Sequence, residues 1–291
     1  MRLGVHVSIA GGLAAALERA VRLSCTTLQI FSRSPRGGPA PAFAPTELQA
    51  FDTQRRQAGL DPLAVHGPYI INLASQDETM FRNSVRLYQE EYRRCQFLNA
   101  QYLVTHVGSH RGAGEAGGIA RVAEALNRTL EGAEASVMLL LENTAGSGQG
   151  LGDRFEQLAA MRAKVHRSAS VGICLDTAHL FAAGYPIHTN EGLDETLAQF
   201  DRIVGLTHLK LIHLNDSKVD FNSHVDRHWH IGEGQIGLAA MRRIVNHPRL
   251  HHLPFILETP KKSDDDDPRN LATVRRLTTR KPHAKLPPLR T

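Results

Sequence analysis

Eight short apolar segments recur along the chain at roughly even intervals, and this alternation constrains the fold more than any other feature. The segments are LGVHVSI (3–9), TLQIFS (27–32), LAVHGPY (63–69), YLVTHVG (102–108), VMLLLEN (137–143), VGICLDT (171–177), LKLIHLN (209–215) and PFILET (254–259). Helical stretches lie between them, the clearest at 79–99, where apolar residues recur at steps of three and four. Eight alternations of strand and helix predict an α/β protein, a single (β/α)8 TIM barrel with its active site at the C-terminal ends of the strands.

The length of 291 residues suits one large barrel or two ordinary domains. An open doubly wound sheet is the alternative fold, but it should carry a GxGxxG motif after the first strand, and the sequence has none there. We therefore expect one barrel domain over residues 1–280, followed by a basic, flexible tail at 281–291. Near the end of the barrel, acidic residues lead into Pro268, which predicts a helix with this proline at its first position.

The composition is that of a soluble globular protein, with 42% hydrophobic and 22% charged residues. No apolar run could span a bilayer and the N-terminus lacks a secretory pattern, so we expect a cytoplasmic protein with no membrane partner. Cys25, Cys95 and Cys174 are far apart, which indicates neither a disulfide framework nor a thiolate metal site. The net charge of +5 suits a polyanionic partner, and 16 histidines raise the possibility of bound metal.

Ionisable residues end six successive predicted strands. They are His66, His106, Glu142, Asp176 with His179 three residues later, His213 with Asp216, and Glu258. Each one alone could be a structural histidine or a helix cap. Together, clustered carboxylates would repel one another and buried imidazoles would need partners, and bound cations answer both problems.

Nitrogen and oxygen ligands without thiolate suit Zn2+, with Mn2+ or Fe2+ as possible substitutes. The stretch HVDRHWHIGEGQIG (224–237) adds His224, Asp226, His228 and His230 at alternate positions, which share one face if the chain is extended. The candidates amount to more than twice the four ligands that one zinc needs, so we predict two or three metals. Multinuclear sites favour the hydrolysis of phosphate esters.

Seven motifs carry a family resemblance. HGPYIINLAS (66–75), THVGSH (105–110), LLENTAG (140–146), LDTAHLFAAGY (175–185), LIHLNDSK (211–218), VDRHWHIGEGQIG (225–237) and ILETP (256–260) closely resemble endonuclease IV, in order through nearly the whole chain. That family comprises the trinuclear-zinc apurinic/apyrimidinic endonucleases. The resemblance implies the same (β/α)8 barrel and three Zn2+ per chain, with Mn2+ possible at one or more sites.

The resemblance also implies a role for each candidate residue. The first metal takes His66, His106 and Glu142, the second takes Glu142, Asp176, His213 and Glu258, and the third takes His179, Asp226 and His228. Glu142 and Glu258 are the implied catalytic residues, and Arg36 and Tyr69 the implied DNA contacts. His224 and His230 fall outside the motif, so we expect them to support ligands or to face solvent. The loop at 34–45 departs from the family pattern, because it is rich in proline and glycine and lacks an aromatic residue near its start.

The implied activity is hydrolysis of DNA on the 5′ side of an abasic site, which leaves a 3′-hydroxyl and a 5′-deoxyribose phosphate. Members of the family also clean blocked 3′ ends. We predict that a hydroxide bridging the first two metals attacks the phosphorus while Glu142 orients it. The expected partner is double-stranded DNA with abasic sites or blocked 3′ ends. We expect a monomer with no nucleotide cofactor, since neither glycine-rich stretch contains GK[ST].

Two other function classes use parts of the same pattern. A sugar isomerase or epimerase on this barrel would bind a single metal through Glu142, Asp176, His213 and Glu258, and would leave five ligand candidates without a role. A non-catalytic DNA-damage binder would hold structural zinc in closed sites of four ligands. Nine ligands for three metals leave open coordination positions, which favours catalysis.

Overall fold

Eight parallel strands form a closed barrel in the computed structural model of the chain, which describes residues 1–38, 40–134 and 136–279. Each barrel strand pairs with its neighbours in the chain, and the last strand closes against the first. The barrel strands are β1 (Arg2–Val7), β2 (Leu28–Phe31), β3 (Leu63–His66), β4 (Tyr102–Thr105), β5 (Met138–Glu142), β6 (Val171–Asp176), β7 (Leu209–His213) and β10 (Pro254–Leu257). A separate two-stranded hairpin consists of β8 (Asp216–Ser217) and β9 (His228–Trp229). The predicted TIM barrel is confirmed.

Helices connect successive strands. They are α1 (Gly12–Arg22), α2 (Pro45–Gln57), α3 (Glu78–Phe97), α4 (Glu115–Leu130), α5 (Phe155–Ala163), α6 (Thr177–Ala182), α7 (Asn190–Ile203), α8 (Gly237–Asn246) and α9 (Asp266–Leu277). The helix predicted at 79–99 is α3, which begins where the Asp77 carboxylate accepts the Met80 N–H at 2.7 Å. The last helix begins at Asp266, two residues before Pro268, so the predicted first position of this proline is wrong.

Inside the barrel, one apolar residue on each of six strands forms a small buried cluster. These residues are Ala64, Val104, Leu140, Cys174, Leu211 and Ile256. Two positions further along the chain from each of them lie the six ionisable residues His66, His106, Glu142, Asp176, His213 and Glu258. Side chains two apart on a strand share a face, so the ionisable residues form the next layer towards the mouth of the barrel.

A larger apolar cluster fills the space between the strands and the surrounding helices. Across residues 1–38, 40–134 and 136–279, no helix is long and apolar enough to cross a membrane. The basic tail predicted at 281–291 lies outside the described residues.

Candidate metal centre

The first group of candidate ligands meets around Glu142, which lies at the end of β5 and is fully buried. His66 Nε2 is 3.1 Å from Glu142 Oε2, and His106 Nε2 is 3.0 Å from the same oxygen. The three residues implied for the first metal therefore lie together.

The second group shares Glu142 with the first. His213 Nδ1 is 2.8 Å from Glu142 Oε1 and 3.2 Å from Glu258 Oε2. Asp176 completes the group, in which one potential ligand atom per residue lies within 4.8 Å of the others. Glu142 thus presents one carboxylate oxygen to each group and bridges them.

The third group joins the end of β6, helix α6 and the β8–β9 hairpin. His179 Nε2 and His228 Nε2 are 3.3 Å apart, and Asp176 Oδ2 is 3.4 Å from His228 Nε2. Asp226 reaches both histidines from an exposed position, at 3.2 Å from His179 and 3.3 Å from His228. All nine predicted ligands are therefore brought together, eight of them in three close groups and Asp226 through its contacts with His179 and His228, and Asp176 borders the third group as well as the second.

The segment that carries Asp226 is held in place through its backbone. Asn222 and His224 adopt left-handed conformations, with φ of 58° and 55°. Their N–H groups donate to the carbonyls of Phe181 and Ala182 near the end of α6, at 3.1 and 2.9 Å. This turn delivers Asp226 next to the histidine on α6.

The same turn overturns the expectation that residues 224–230 form one extended face. Pairing with β8 is limited to His228 and Trp229. His224 is exposed, which is one of the two outcomes expected for it. His230 is buried, and Asn270 Nδ2 lies 3.1 Å from its Nδ1, so it does not face solvent.

Asp216, expected at the mouth with His213, has a different role. It is fully buried, and its carboxylate accepts backbone N–H groups from five residues of the following turns. The donors are Ser217, Gly232, Gly234, Ile236 and Gly237. A carboxylate saturated in this way organises the GEGQIG segment and has no oxygen left for a metal.

Neighbouring charges shift the pKa values of the clustered residues. Burial raises the pKa of the Glu142 carboxyl group, but His106 and His213 outweigh burial and hold it well below its usual range. Burial lowers the pKa of His179, but Asp176 and Asp226 outweigh burial and raise it to about 10. The site therefore stabilises negative carboxylates and attracts positive charge.

Hydrogen bonds on the far side of the imidazoles show that the residues fit a metal. The pairs are His66 Nδ1 with Gly67 O at 2.7 Å, His179 Nδ1 with Asn143 O at 2.9 Å, His213 Nε2 with Gln29 Oε1 at 2.9 Å, and His228 Nδ1 with Glu258 O at 3.1 Å. Carbonyl oxygens only accept, so these nitrogens carry the hydrogen and a neutral ring presents its other lone pair to the carboxylates. The imidazole lone pairs and the carboxylate oxygens repel one another unless a proton or a cation lies between them. Imidazoles whose other nitrogen donates to an outer acceptor are typical of metal sites.

Two asparagines outside the predicted set also hold the candidate ligands. Asn143 Oδ1 accepts the Asp176 N–H at 2.6 Å. Asn215 Nδ2 donates to Asp176 Oδ2 at 2.6 Å, and its Oδ1 accepts the Glu258 N–H at 2.8 Å. Asn143 directly follows the end of β5, and Asn215 lies two residues after the end of β7. Their position at strand ends is the sequence signal that could have identified them.

Arg36 and Tyr69, the predicted DNA contacts, lie on neighbouring loops at the mouth. The Tyr69 N–H donates to Pro35 O at 3.0 Å, and the Tyr69 side chain is exposed, as is Arg36. A pocket of about 460 Å³ is bordered by Tyr69, His228 and Glu258. Tyr69 therefore adjoins the candidate metal centre, and Arg36 directly follows Pro35, which lines the same pocket.

The loop that carries Arg36 is tied to helix α3. Arg33 Nη1 donates to Gly38 O at 3.4 Å, and Arg94 Nη1 donates to Pro41 O at 3.0 Å. Arg33 in turn pairs with the buried Glu91 on α3. A segment rich in proline and glycine thus takes its position from side chains outside it.

Known proteins share both the sequence and the fold. The family described as "Xylose isomerase-like TIM barrel" matches residues 17–280. A protein of Chloroflexus aurantiacus named probable endonuclease 4 is 46% identical over 278 residues, which cover 95% of this chain and 98% of that protein. The crystal structure of endonuclease IV from Thermus thermophilus superposes with a TM-score of 0.85 at 37% identity, over 95% of this chain and 98% of that one. A D-tagatose 3-epimerase-like protein superposes with a TM-score of 0.68 at 18% identity, over 95% of each chain, which shows a shared fold alone.

Proposed function

The chain belongs to the endonuclease IV family, and from this premise we propose that it is a DNA repair endonuclease that hydrolyses the phosphodiester on the 5′ side of abasic sites. The products are a 3′-hydroxyl and a 5′-deoxyribose phosphate. The same centre acts on blocked 3′ ends, because the bond to be broken there is also a phosphate ester next to a damaged sugar. The partner is double-stranded DNA, and the protein acts as a monomer in the cytoplasm.

One observation carries the proposal. Three groups of His, Asp and Glu side chains adjoin at the mouth of the barrel: the first two share Glu142, and Asp176 of the second also lies beside His179 and His228 of the third. A single-metal isomerase has no use for the third group. A structural zinc site would be closed by four protein ligands, whereas the first group offers three.

We assign the three groups to three divalent cations, taken to be Zn2+ with Mn2+ as a possible substitute. The first is held by His66, His106 and Glu142, the second by Glu142, Asp176, His213 and Glu258, and the third by His179, Asp226 and His228. When bound, such cations supply Lewis-acid stabilisation of phosphate oxygens and lower the pKa of water towards neutrality. Three divalent cations outweigh the four carboxylates and leave a centre that attracts a phosphodiester anion.

The two catalytic glutamates orient the reacting groups. Glu142 is fully buried and has an oxygen in each of the first two groups, so its carboxylate directs the attacking water towards the phosphorus. Glu258 borders the pocket and is held by the Asn215 side chain through its own N–H, so it sits between the second group and the bound strand. With Glu142 in this position, no separate general base is needed.

The pocket beside Glu258 and His228 receives the abasic sugar, turned out of the duplex. A missing base lowers the cost of extrusion, which selects for damage. Tyr69 lines the pocket, Arg36 directly follows Pro35 of the same lining, and both contact the DNA around the lesion. Base identity plays little part, so the enzyme should cleave lesions in many sequence contexts.

The test is cleavage of a duplex with one tetrahydrofuran abasic analogue, together with the metal content of the same sample. About three metals per chain and a single nick 5′ to the analogue support the proposal, and an undamaged duplex of the same sequence is the control. Chelation should abolish nicking, and added Zn2+ should restore it. One metal per chain with epimerisation of a ketohexose would instead favour the sugar isomerase, and DNA binding with no nick would favour a damage binder.

A further inference from the structure

Gln29, fully buried in β2, contacts two candidate ligands of the second metal at once. Its Nε2 lies 2.6 Å from Glu258 Oε1, and its Oε1 lies 2.9 Å from His213 Nε2. The strand register pairs it with His6 on one side and Ala64 on the other, so it lies one layer below the mouth. Neither the motifs nor the six strand ends include this residue.

The chemistry of the two contacts fixes the direction of each hydrogen bond. An ionised carboxylate can only accept, so the Gln29 amide N–H must donate to Glu258 Oε1. The amide oxygen then faces His213 Nε2, which must carry a hydrogen. A neutral His213 consequently keeps its lone pair on Nδ1, the nitrogen that lies 2.8 Å from Glu142 and 3.2 Å from Glu258.

We propose that Gln29 is a positioning residue for the second metal. It selects the His213 tautomer whose Nδ1 is free to bind a cation, and it engages one Glu258 oxygen so that Oε2 remains for the same cation. One side chain thereby orients both His213 and Glu258, which are distant from it in the sequence. This inference rests on the proposed metal centre and adds a residue beneath it.

Gln157 provides a matched control elsewhere in the barrel. It is also buried, its Oε1 accepts a backbone N–H from Gly152 at 2.6 Å, and its Nε2 donates to Glu115 at 3.0 Å. Each glutamine thus loses one donated and one accepted hydrogen bond when replaced, and Gln29 also has His6 Nδ1 at 2.9 Å from its Nε2. They differ in that Gln29 contacts candidate ligands and Gln157 does not.

The experiment compares Gln29→Leu with Gln157→Leu in the full-length protein. Each protein is loaded with Zn2+ and dialysed against graded chelator, and metal per chain is measured. Outer hydrogen-bond partners of ligands contribute about ten- to hundredfold to metal affinity, so Gln29→Leu should release one metal at about ten- to hundredfold lower chelator concentration than Gln157→Leu. The visible absorption of the Co2+-loaded proteins, which reports ligand geometry, should change for the Gln29 variant and stay as in the wild type for the Gln157 variant.

Gln29→Glu is a second test in case Gln29→Leu does not fold. It keeps the size of the side chain and the acceptor for His213, but it replaces the amide donor with a carboxylate oxygen beside Glu258. It should also release one metal more readily than the wild type. Equal metal retention and equal Co2+ spectra in the Gln29 and Gln157 variants would overturn the role of Gln29 while leaving the proposed function intact. A wild-type protein that binds no metal and nicks no abasic duplex would instead remove the proposed function itself.

Discussion

Replacing Glu142 with glutamine tests the centre of the proposed site, because both of its carboxylate oxygens are in use. Oε2 lies 3.1 and 3.0 Å from His66 and His106, and Oε1 lies 2.8 Å from His213. Glutamine keeps the shape but has one acceptor oxygen. Its NH2 group would therefore face the lone pairs of one group of ligands, where a donor cannot coordinate a cation.

The size of the effect follows from this geometry. Two of the three groups share Glu142, so the substitution disrupts at least one metal and removes a negative charge between both. Loss of a single preorganised electrostatic group in an active site costs about a hundred- to a thousandfold in kcat. For a residue shared by two metals, the kcat loss should lie at or above the upper end of this range. We therefore expect kcat to fall by at least about a thousandfold, which is about 4 kcal/mol of transition-state stabilisation.

The assay is single-turnover cleavage of the tetrahydrofuran duplex, with DNA affinity and metal content measured on the same preparation. DNA affinity should remain measurable, because the loops of Arg36 and Tyr69 are unchanged. Glu91→Gln is the control for placing an amide where a buried carboxylate was, since Glu91 is equally buried but contacts Arg33 and Ser32. It should lower the melting temperature and keep its metals.

Near-normal cleavage by the Glu142→Gln protein would refute the bridging role. A comparable kcat loss in the Glu91→Gln protein at full metal content would refute it as well. The loss would then come from burying an amide rather than from the metal centre.

Three further outcomes are expected. His228→Ala should lose one metal and most of the activity. His224→Gly, which keeps the left-handed backbone, should retain its metal content and its activity. Similar metal content in the two proteins would contradict the ligand assignment. In the chelated protein, His179 has its pKa raised to about 10 from an ordinary value of 6.5, so its stabilising contribution is full below about pH 6.5 and is lost as the pH rises towards 10. The difference in unfolding free energy between wild type and His179→Gln should therefore shrink over that range, and a difference that grows with pH would show the opposite sign. Tyr69→Ala should weaken binding to abasic duplex by about 1–3 kcal/mol if the ring stacks on DNA, with metal content unchanged; a fluorescence anisotropy titration that matches the wild type would exclude such stacking.

Much of the centre was accessible from the sequence because it depends on strand periodicity. Leu140 and Glu142 are two apart on β5, as are Leu211 and His213 on β7, and residues two apart share the inner face of a barrel. An apolar residue followed two positions later by an ionisable one therefore places a ligand candidate at the mouth. The rule is local, so six of the nine candidate ligands needed no knowledge of distant contacts.

The same rule gave a wrong result for Asp216 and for the stretch around His224. Asp216 follows a strand end, but its carboxylate is taken up by backbone N–H groups between 217 and 237. The stretch alternates polar residues as a strand would, but two left-handed residues bend it. In both places the conformation depends on hydrogen bonds to chain that is remote in sequence.

By itself, the sequence determined the barrel and the ring of ionisable residues at its mouth, and it predicted more than one cation, because the alternation of strand faces is a property of the local backbone. The tertiary structure decided which of these residues lie close enough to share a cation. Asp226 joins His179 because the 222–224 turn is bonded to carbonyls at the end of α6, and Glu142 reaches two groups because strands β3, β4 and β7 converge on it. It also brought Gln29 beneath His213 and Glu258, a contact between β2, β7 and the end of β10 that exists only once the barrel is closed.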